Sequence, residues 1–401
     1  MHTETLEFSQ TIRAEPSQVY YAFTNALVLT EWLCDDARLN PKAGAPLYLY
    51  WNNGYYSVGE FIELTPNEKV VFSWRGKGEP DVTQVHVRVE KKDEITQLTL
   101  KHSGLSNDKW KKSREAIQRG WERGLKNLKS VLETGDDSRF VDRPMLGITI
   151  SEFINDEIAA EKGYPVKEGF RIDGVVEGLG AQAAGLQQDD IITQLARKKT
   201  TDWPSLLNTL DDFRAGDQVE VAFYRGSEKK TVTMELSRRP LPTVPPTAEG
   251  LANKLKKAVS DLDKEMQKVL EVISEQEASH HPKEGEWNVK EILAHLIASE
   301  RDTHNWIGTL LEGEIGFVYS SNVNARVKAV VATLPTVSRL FAELQRSEEE
   351  TLALISALPE TFVKERKGSY KYLGYRLLDG DYHYRTHINQ IKETVEAARK
   401  K

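Results

Sequence analysis

The sequence predicts a multidomain chain in which an α+β module, a β-rich module and an all-α four-helix bundle follow one another. Three observations predict it. The 401 residues exceed what one ordinary core organises. Two seams interrupt the chain, the polar "LETGDDSRFVDRP" (132–144) and "SRRPLPTVPPTAEG" (237–250), whose four prolines resist helix and strand interiors. The three stretches between them differ in hydrophobic period, and no internal repeat relates them. The expected modules span residues 1–135, 143–238 and 248–399.

The bulk composition narrows the function classes. With 54 basic and 61 acidic residues, the formal charge is −7, without long single-sign blocks. Such a chain has no electrostatic reason to seek nucleic acid or an anionic membrane. The start "MHTETLEFSQ" has neither the basic nor the apolar region of a secretory signal, and no apolar run approaches bilayer-spanning length. Cys34 is the single cysteine, which excludes an internal disulfide and a cysteine-based zinc cluster. The cytoplasm is the expected compartment.

In the first module, "TLEFSQTIRAE", "APLYLYW", "VGEFIEL", "KVVFSWRG", "TQVHVRVEKK" and "ITQLTLKHSG" alternate with period two and predict six strands. "EPSQVYYAFTNALVLTEWL" predicts a helix from its Pro-Ser start. "DKWKKSREAIQRGWERGLKNLKSVLE" predicts a longer one with Ile117, Trp121, Leu125, Leu128 and Val131 on its apolar stripe. A curved antiparallel sheet wrapping that helix is the natural assembly. The order of these motifs resembles the START-like (SRPBCC) superfamily, closest to its AHSA-type branch, named for activators of the ninety-kilodalton heat-shock protein ATPase. The resemblance implies a helix-grip fold with a cavity for a small apolar ligand or a client protein. Trp32, Trp51, Trp74, Trp110 and Trp121 read as cavity lining or as ordinary core aromatics. His86 and His102 read as structural or exposed.

In the second module, "AAGLQQDDII" makes a tight turn at Gly185 and sends Leu186, Ile191 and Ile192 inward. "DWPSLLNTL" starts a helix with Asp202 as N-cap and Pro204 in the first turn. With "PMLGITI" these segments resemble a PDZ domain of the HtrA-like arrangement. The resemblance implies that backbone amides of Leu146, Gly147 and Ile148 receive the carboxylate of a protein C-terminal peptide. The peptide would add as a strand against Thr149 and Ile150, beside the helix carrying Leu206, Leu207 and Leu210. A PDZ fold used only as a spacer is the alternative. No segment resembles the Ser-His-Asp domain of the HtrA proteases.

The third module reads as four amphipathic helices. The first carries Leu251, Leu255, Val259, Leu262, Met266, Val269 and Ile273. The second is "NVKEILAHLIASERDTHNWIGTLLEG", the third "LPTVSRLFAELQRSEEETLALISAL", and the fourth runs from "DGDYHYRTHINQIK" to "ETVEAARK". His383 and His387 are one helical turn apart, so they are either metal ligands or polar residues on a wet face. A third histidine, His295, sits among Ile292, Leu296 and Ile297 on the second helix, and three imidazoles from two helices can share one metal. "EWNVKEILAHL" followed by "HYRTHINQI" resembles the DinB-like/YfiT family of metal-binding bundles. The resemblance implies His295, His383 and His387 as ligands of zinc, nickel or iron, with Trp287 and Gln390 beside them. Three neutral ligands would favour an anionic fourth such as hydroxide or thiolate. Other candidates read more simply. Glu291 has capping-box spacing from Asn288, His304 faces elsewhere, His280 and His281 read as surface histidines in a connecting loop, and Asp379 and Asp381 cap the last helix or support the ligands.

Two functions follow from these resemblances. One is a stress- or detoxification-type binding protein uniting a metal site, a peptide groove and a ligand or client cavity. The alternative is a metal-dependent thiol transferase or hydrolase, for which no general base can be named.

Overall fold

The computed structural model of the chain describes residues 5–105, 108–316, 320–379 and 381–400. The chain forms two compact units, the first running essentially to Pro240 and the second from Leu241.

The first unit begins with β1 (Leu6–Ile12), α1 (Pro16–Thr24), α2 (Ala26–Trp32) and β2 (Asp36–Leu39). There follow β3 (Pro46–Tyr50), β4 (Tyr56–Thr65), β5 (Lys69–Gly76), β6 (Thr83–Lys92) and β7 (Ile95–Ser103). The seven strands form one antiparallel sheet in the order β1-β7-β6-β5-β4-β3-β2. The long helix α3 (Lys111–Thr134) supplies the gripped element. Its Trp121 lies on Trp74 of β5 with ring centres 5.6 Å apart and donates its indole N–H to His102 of β7 at 3.0 Å. Two details differ from expectation. The helix predicted from residue 15 breaks at Asn25, whose side-chain oxygen accepts the Val28 N–H and starts a new helix. The four-residue strand β2 is too short for its alternation to register.

The unit continues through α4 (Ser138–Val141), β8 (Ile148–Ile154), α5 (Asp156–Lys162), β9 (Gly169–Val175) and α6 (Gly180–Ala183). It closes with β10 (Ile191–Leu195), β11 (Lys198–Lys199), α7 (Trp203–Leu210), β12 (Gln218–Arg225) and β13 (Glu228–Glu235). The order β13-β12-β10-β9-β8 leaves β8 on an edge of this sheet. Asp202 caps α7 through a capping box with Ser205, with a proline in the first turn.

The second unit contains α8 (Ala248–Leu270), α9 (Glu275–Ala278), α10 (Val289–Glu312), α11 (Asn324–Thr333), α12 (Val337–Ser356), α13 (Glu360–Glu365), α14 (Lys367–Leu378) and α15 (Asp381–Arg399). The four predicted helices are α8, α10, α12 and α15, and each sends residues into one core: Met266, Ile292, Leu296, Leu340, Leu344, Ile388 and Ile391. Helices α11 and α14 are additions to the expectation. The α14 sequence "KGSYKYLGYRLL" holds two glycines and no clear apolar stripe, so its helix follows from packing rather than propensity. Among the described residues, no helix is long and apolar enough to cross a membrane.

Candidate metal centre and peptide groove

Helix α10 starts where its sequence dictates. The Asn288 side chain accepts the Glu291 N–H, and Glu291 returns a bond to the Asn288 N–H. This fixes the helix phase, and His295, two positions beyond Leu293, enters the bundle interior at 3% exposure. Helix α15 presents His383 and His387 from one face. The Nε2 atoms of His295 and His383 are 3.2 Å apart, and those of His387 and His383 are 3.1 Å apart. A nitrogen atom from each of the three rings lies within 4.8 Å of the others.

The protonation of these rings suits a cation. The His387 Nδ1–H donates to Gln390 Oε1 at 2.9 Å, which leaves the Nε2 lone pair facing the other rings. Burial depresses the basicity of all three. His383 falls to about 4, through burial and then its two histidine neighbours. His295 is lowered by burial and then by His387. His387 is lowered by burial against the opposing effect of Gln390. The Trp287 ring covers one face of His295 at 5.0 Å. The donor set fits a divalent transition metal. Tetrahedral ligands at about 2.0–2.1 Å from a zinc ion stand about 3.3 Å from one another, close to the observed nitrogen separations.

The other candidate histidines are placed elsewhere. His304 lies 2.7 Å from Thr351 Oγ1, away from the triad. His281 bonds to Glu291 at 2.9 Å, and His280 is half-buried rather than exposed. His102 is fully buried, between Thr83 Oγ1 at 2.7 Å and the Trp121 indole. Asp379 is the C-cap of α14 rather than a cap of the last helix, and the side chain of Asp381 lies outside the described residues. The thiol of Cys34 is pushed up to about 12 by burial, so it is no nucleophile.

Sequence reasoning missed a buried acidic group in the same bundle. Glu348 of α12 is 3% exposed and faces Tyr384 and Asp263. Asp263 of α8 and Glu300 of α10 are its charged neighbours, and burial followed by these two acids raises its pKa to about 9. Glu300 accepts the hydroxyls of Tyr384 at 2.8 Å and Thr351 at 2.5 Å. In the sequence, Glu348 opens a run of three glutamates that reads as a solvated face. The available signal was helical phase, since Leu340, Leu344, Glu348 and Thr351 share the buried stripe.

At the start of β8, Gly147 adopts φ 77°, and a Cβ there would stand 2.5 Å from Leu179 Cβ. The Gly147 carbonyl accepts the Val176 N–H at 2.8 Å, and the Leu146 carbonyl accepts the Ala181 N–H at 3.2 Å. Among the described residues, none accepts from the N–H of Leu146 or Gly147. Two unpaired amides beside an open strand edge make an anion-receiving nest. Leu206 and Leu210 of α7 pack with Ile148 and Ile150 in the core beneath that edge. Leu207 and Leu210 of the same helix also line a separate cleft of about 720 Å³. Trp32, Trp51, Trp74 and Trp121 also line that cleft, whereas Trp110 is an ordinary core residue at 1% exposure.

Three family models match this chain. The model described as "Activator of Hsp90 ATPase homolog 1-like protein" matches residues 13–133, the PDZ domain model residues 144–236, and the DinB superfamily model residues 258–391. Among curated relatives, a probable periplasmic serine endoprotease DegP-like from Marinomonas sp. (strain MWYL1) is 27% identical over 144 residues, 36% of this chain and 30% of that protein. The serine protease Do-like HtrA of Lactococcus lactis subsp. cremoris is 30% identical over 116 residues, 28% of each chain. The chain therefore spans less than a third of the length of these relatives. Among solved structures, the Aha1 dimer from Colwellia psychrerythraea is 22% identical, covering 32% of this chain and 96% of that one, with a TM-score of 0.28. An HSP90 activator from Plasmodium falciparum is 28% identical, covering 32% and 95%, with a TM-score of 0.28. The chain thus combines an AHSA-type segment, a PDZ segment and a DinB-like segment, a composition of binding and ligand-interaction modules.

Proposed function

We propose that this protein is a multidomain binding protein in which His295, His383 and His387 hold a divalent transition metal, with zinc, nickel and iron all suited to imidazole. The observation that carries the reading is the convergence of three imidazole nitrogens within 4.8 Å. Their depressed basicity supports it, because neutral rings at pH 7 offer lone pairs rather than protons. The modules would span residues 1–135, 143–238 and 248–399. The PDZ segment would take a protein C-terminal peptide, its carboxylate on the amides of Leu146, Gly147 and Ile148 and its backbone along β8. The AHSA-type segment would hold a small apolar ligand or client in its tryptophan-lined cleft.

A second reading, a metal-dependent thiol transferase or hydrolase, draws on one feature of the same site. Three neutral ligands leave coordination positions open, and a metal there would lower the pKa of a bound thiol or water. The chain's own part would be to orient the rings through Gln390, shield His295 with Trp287 and keep the three nitrogens unprotonated.

Elemental analysis of full-length protein purified without a histidine tag tests the binding reading. We expect about one equivalent of metal per chain, lost in both His295→Ala and His383→Ala. Metal content that survives both substitutions, or none after reconstitution with zinc and nickel, would overturn it.

A further inference from the structure

Helix α7 faces two ways. Leu206 and Leu210 belong to the core of the PDZ segment, while Leu207, Leu210 and the following Asp211 and Arg214 line the tryptophan-walled cleft. Arg143 and Pro144, just before the carboxylate-receiving loop, line it too. Opposite charges face each other along this side. Asp212 sits below the usual carboxylate range, chiefly through Lys198, with Arg123 and Arg119 of α3 contributing. Arg143 lies 3.8 Å from Asp211.

The walls specify what fits between them. Trp51 meets Tyr55 with ring centres 5.2 Å apart and Trp74 at 6.1 Å, and Trp74 meets Trp121 at 5.6 Å. This is a continuous aromatic surface that favours a flat, apolar partner. At about 720 Å³ the cleft falls within the size range of small-molecule sites, about 300–1,000 Å³. Six cationic and four acidic side chains line it, in a chain of formal charge −7. Among the cations, Arg139 is paired with Asp137 at 2.8 Å and Arg143 with Asp211 at 3.8 Å. Lys77, Arg123, Lys126 and Arg214 therefore supply the positive side, while the acids are held by local donors. Glu79 takes the Tyr55 hydroxyl at 2.7 Å and the Gly76 N–H at 2.6 Å, Asp35 takes the Asn52 N–H at 2.7 Å, and Asp211 faces Arg143. Arg214, by contrast, is exposed: among the described residues its guanidinium donates only to the backbone carbonyls of Asp211 and Phe213, while its backbone N–H donates to Asp217. The local excess of positive charge selects an anionic group on the ligand.

We propose that this cleft is a ligand site shared by the AHSA-type and PDZ segments, and that it takes a small aromatic anion. The proposal rests on reading the AHSA-type segment as a ligand-holding module; what it adds is the wall contributed by α7. A ligand seated there touches the helix that also buttresses the peptide groove.

The test uses the full chain and the fluorescent aromatic anion anilinonaphthalenesulfonate. Saturable binding with quenching of tryptophan emission is expected. Trp51→Ala on one wall, and Leu207→Asp and Arg214→Glu on the other, should each weaken it about tenfold or more. Arg197→Glu, at the exposed turn before β11, should leave it unchanged and so controls for overall charge. Circular dichroism confirms folding, and the exposed Arg214 gives a variant outside the core. If both α7-side changes stay within about twofold of wild type while Trp51→Ala weakens binding, the ligand belongs to the AHSA-type segment alone and the shared site is overturned. Absence of saturable binding, or indifference to all three substitutions, would overturn the ligand-holding reading as well.

Discussion

Replacing Glu348 with glutamine stabilises the protein at high pH and does little at low pH. Glu348 is buried beside Asp263 and Glu300, and its pKa stands at about 9 against 4.5 for the ordinary side chain. The folded protein therefore keeps a proton that the unfolded chain releases. The stability tied to that proton is fully present below about pH 4.5 and is lost as pH rises through about 9. Glutamine has the same shape and cannot ionise, so the gap between variant and wild type widens with pH. Between about pH 5 and about pH 9 it should grow by something on the order of 5 kcal/mol. Thermal unfolding of both proteins across this range, with a chelator present so that metal release adds no pH dependence of its own, measures the gap. A constant difference would mean that Glu348 is ionised in the folded state.

Gly147→Ala is expected to weaken the proposed peptide capture by at least about tenfold. An alanine at φ 77° costs about 1–2 kcal/mol in backbone conformation. Its methyl group would also stand 2.5 Å from Leu179 Cβ, so the loop after β9 or the start of β8 must move. Either movement misdirects the Leu146 and Gly147 amides. Fluorescence anisotropy with a labelled peptide ending in an apolar residue and a free carboxylate should show a loss of at least about tenfold. An amidated copy of the peptide should bind wild type equally poorly. Equal affinity of the variant and wild type for the free-acid peptide would remove the loop from the binding site.

How much of this was legible depended on whether a residue's role is local. The capping box at Asn288, the capped start of α7 and the period-two strands are set by neighbours in sequence, and they appear where the pattern placed them. The fold class and the three-segment composition were readable for that reason. The His295, His383 and His387 cluster was readable because two of its members share one helical turn and the third lies in an apolar run. That Leu207 also lines the cleft was not readable, because helical phase says which residues share a face but not which neighbour that face meets. Glu348 escaped because a glutamate run looks solvated until the phase of the whole helix is counted. Helix α14 escaped because its tyrosines and glycines carry weak propensity, and tertiary packing decides its state.

The most direct test of the central claim is X-ray absorption at the metal edge of the reconstituted full chain. The account predicts nitrogen scatterers at about 2.0–2.1 Å with the multiple-scattering pattern of three imidazoles, reduced to two in His387→Ala. A spectrum fitted by oxygen donors alone, or one unchanged by that substitution, would contradict it.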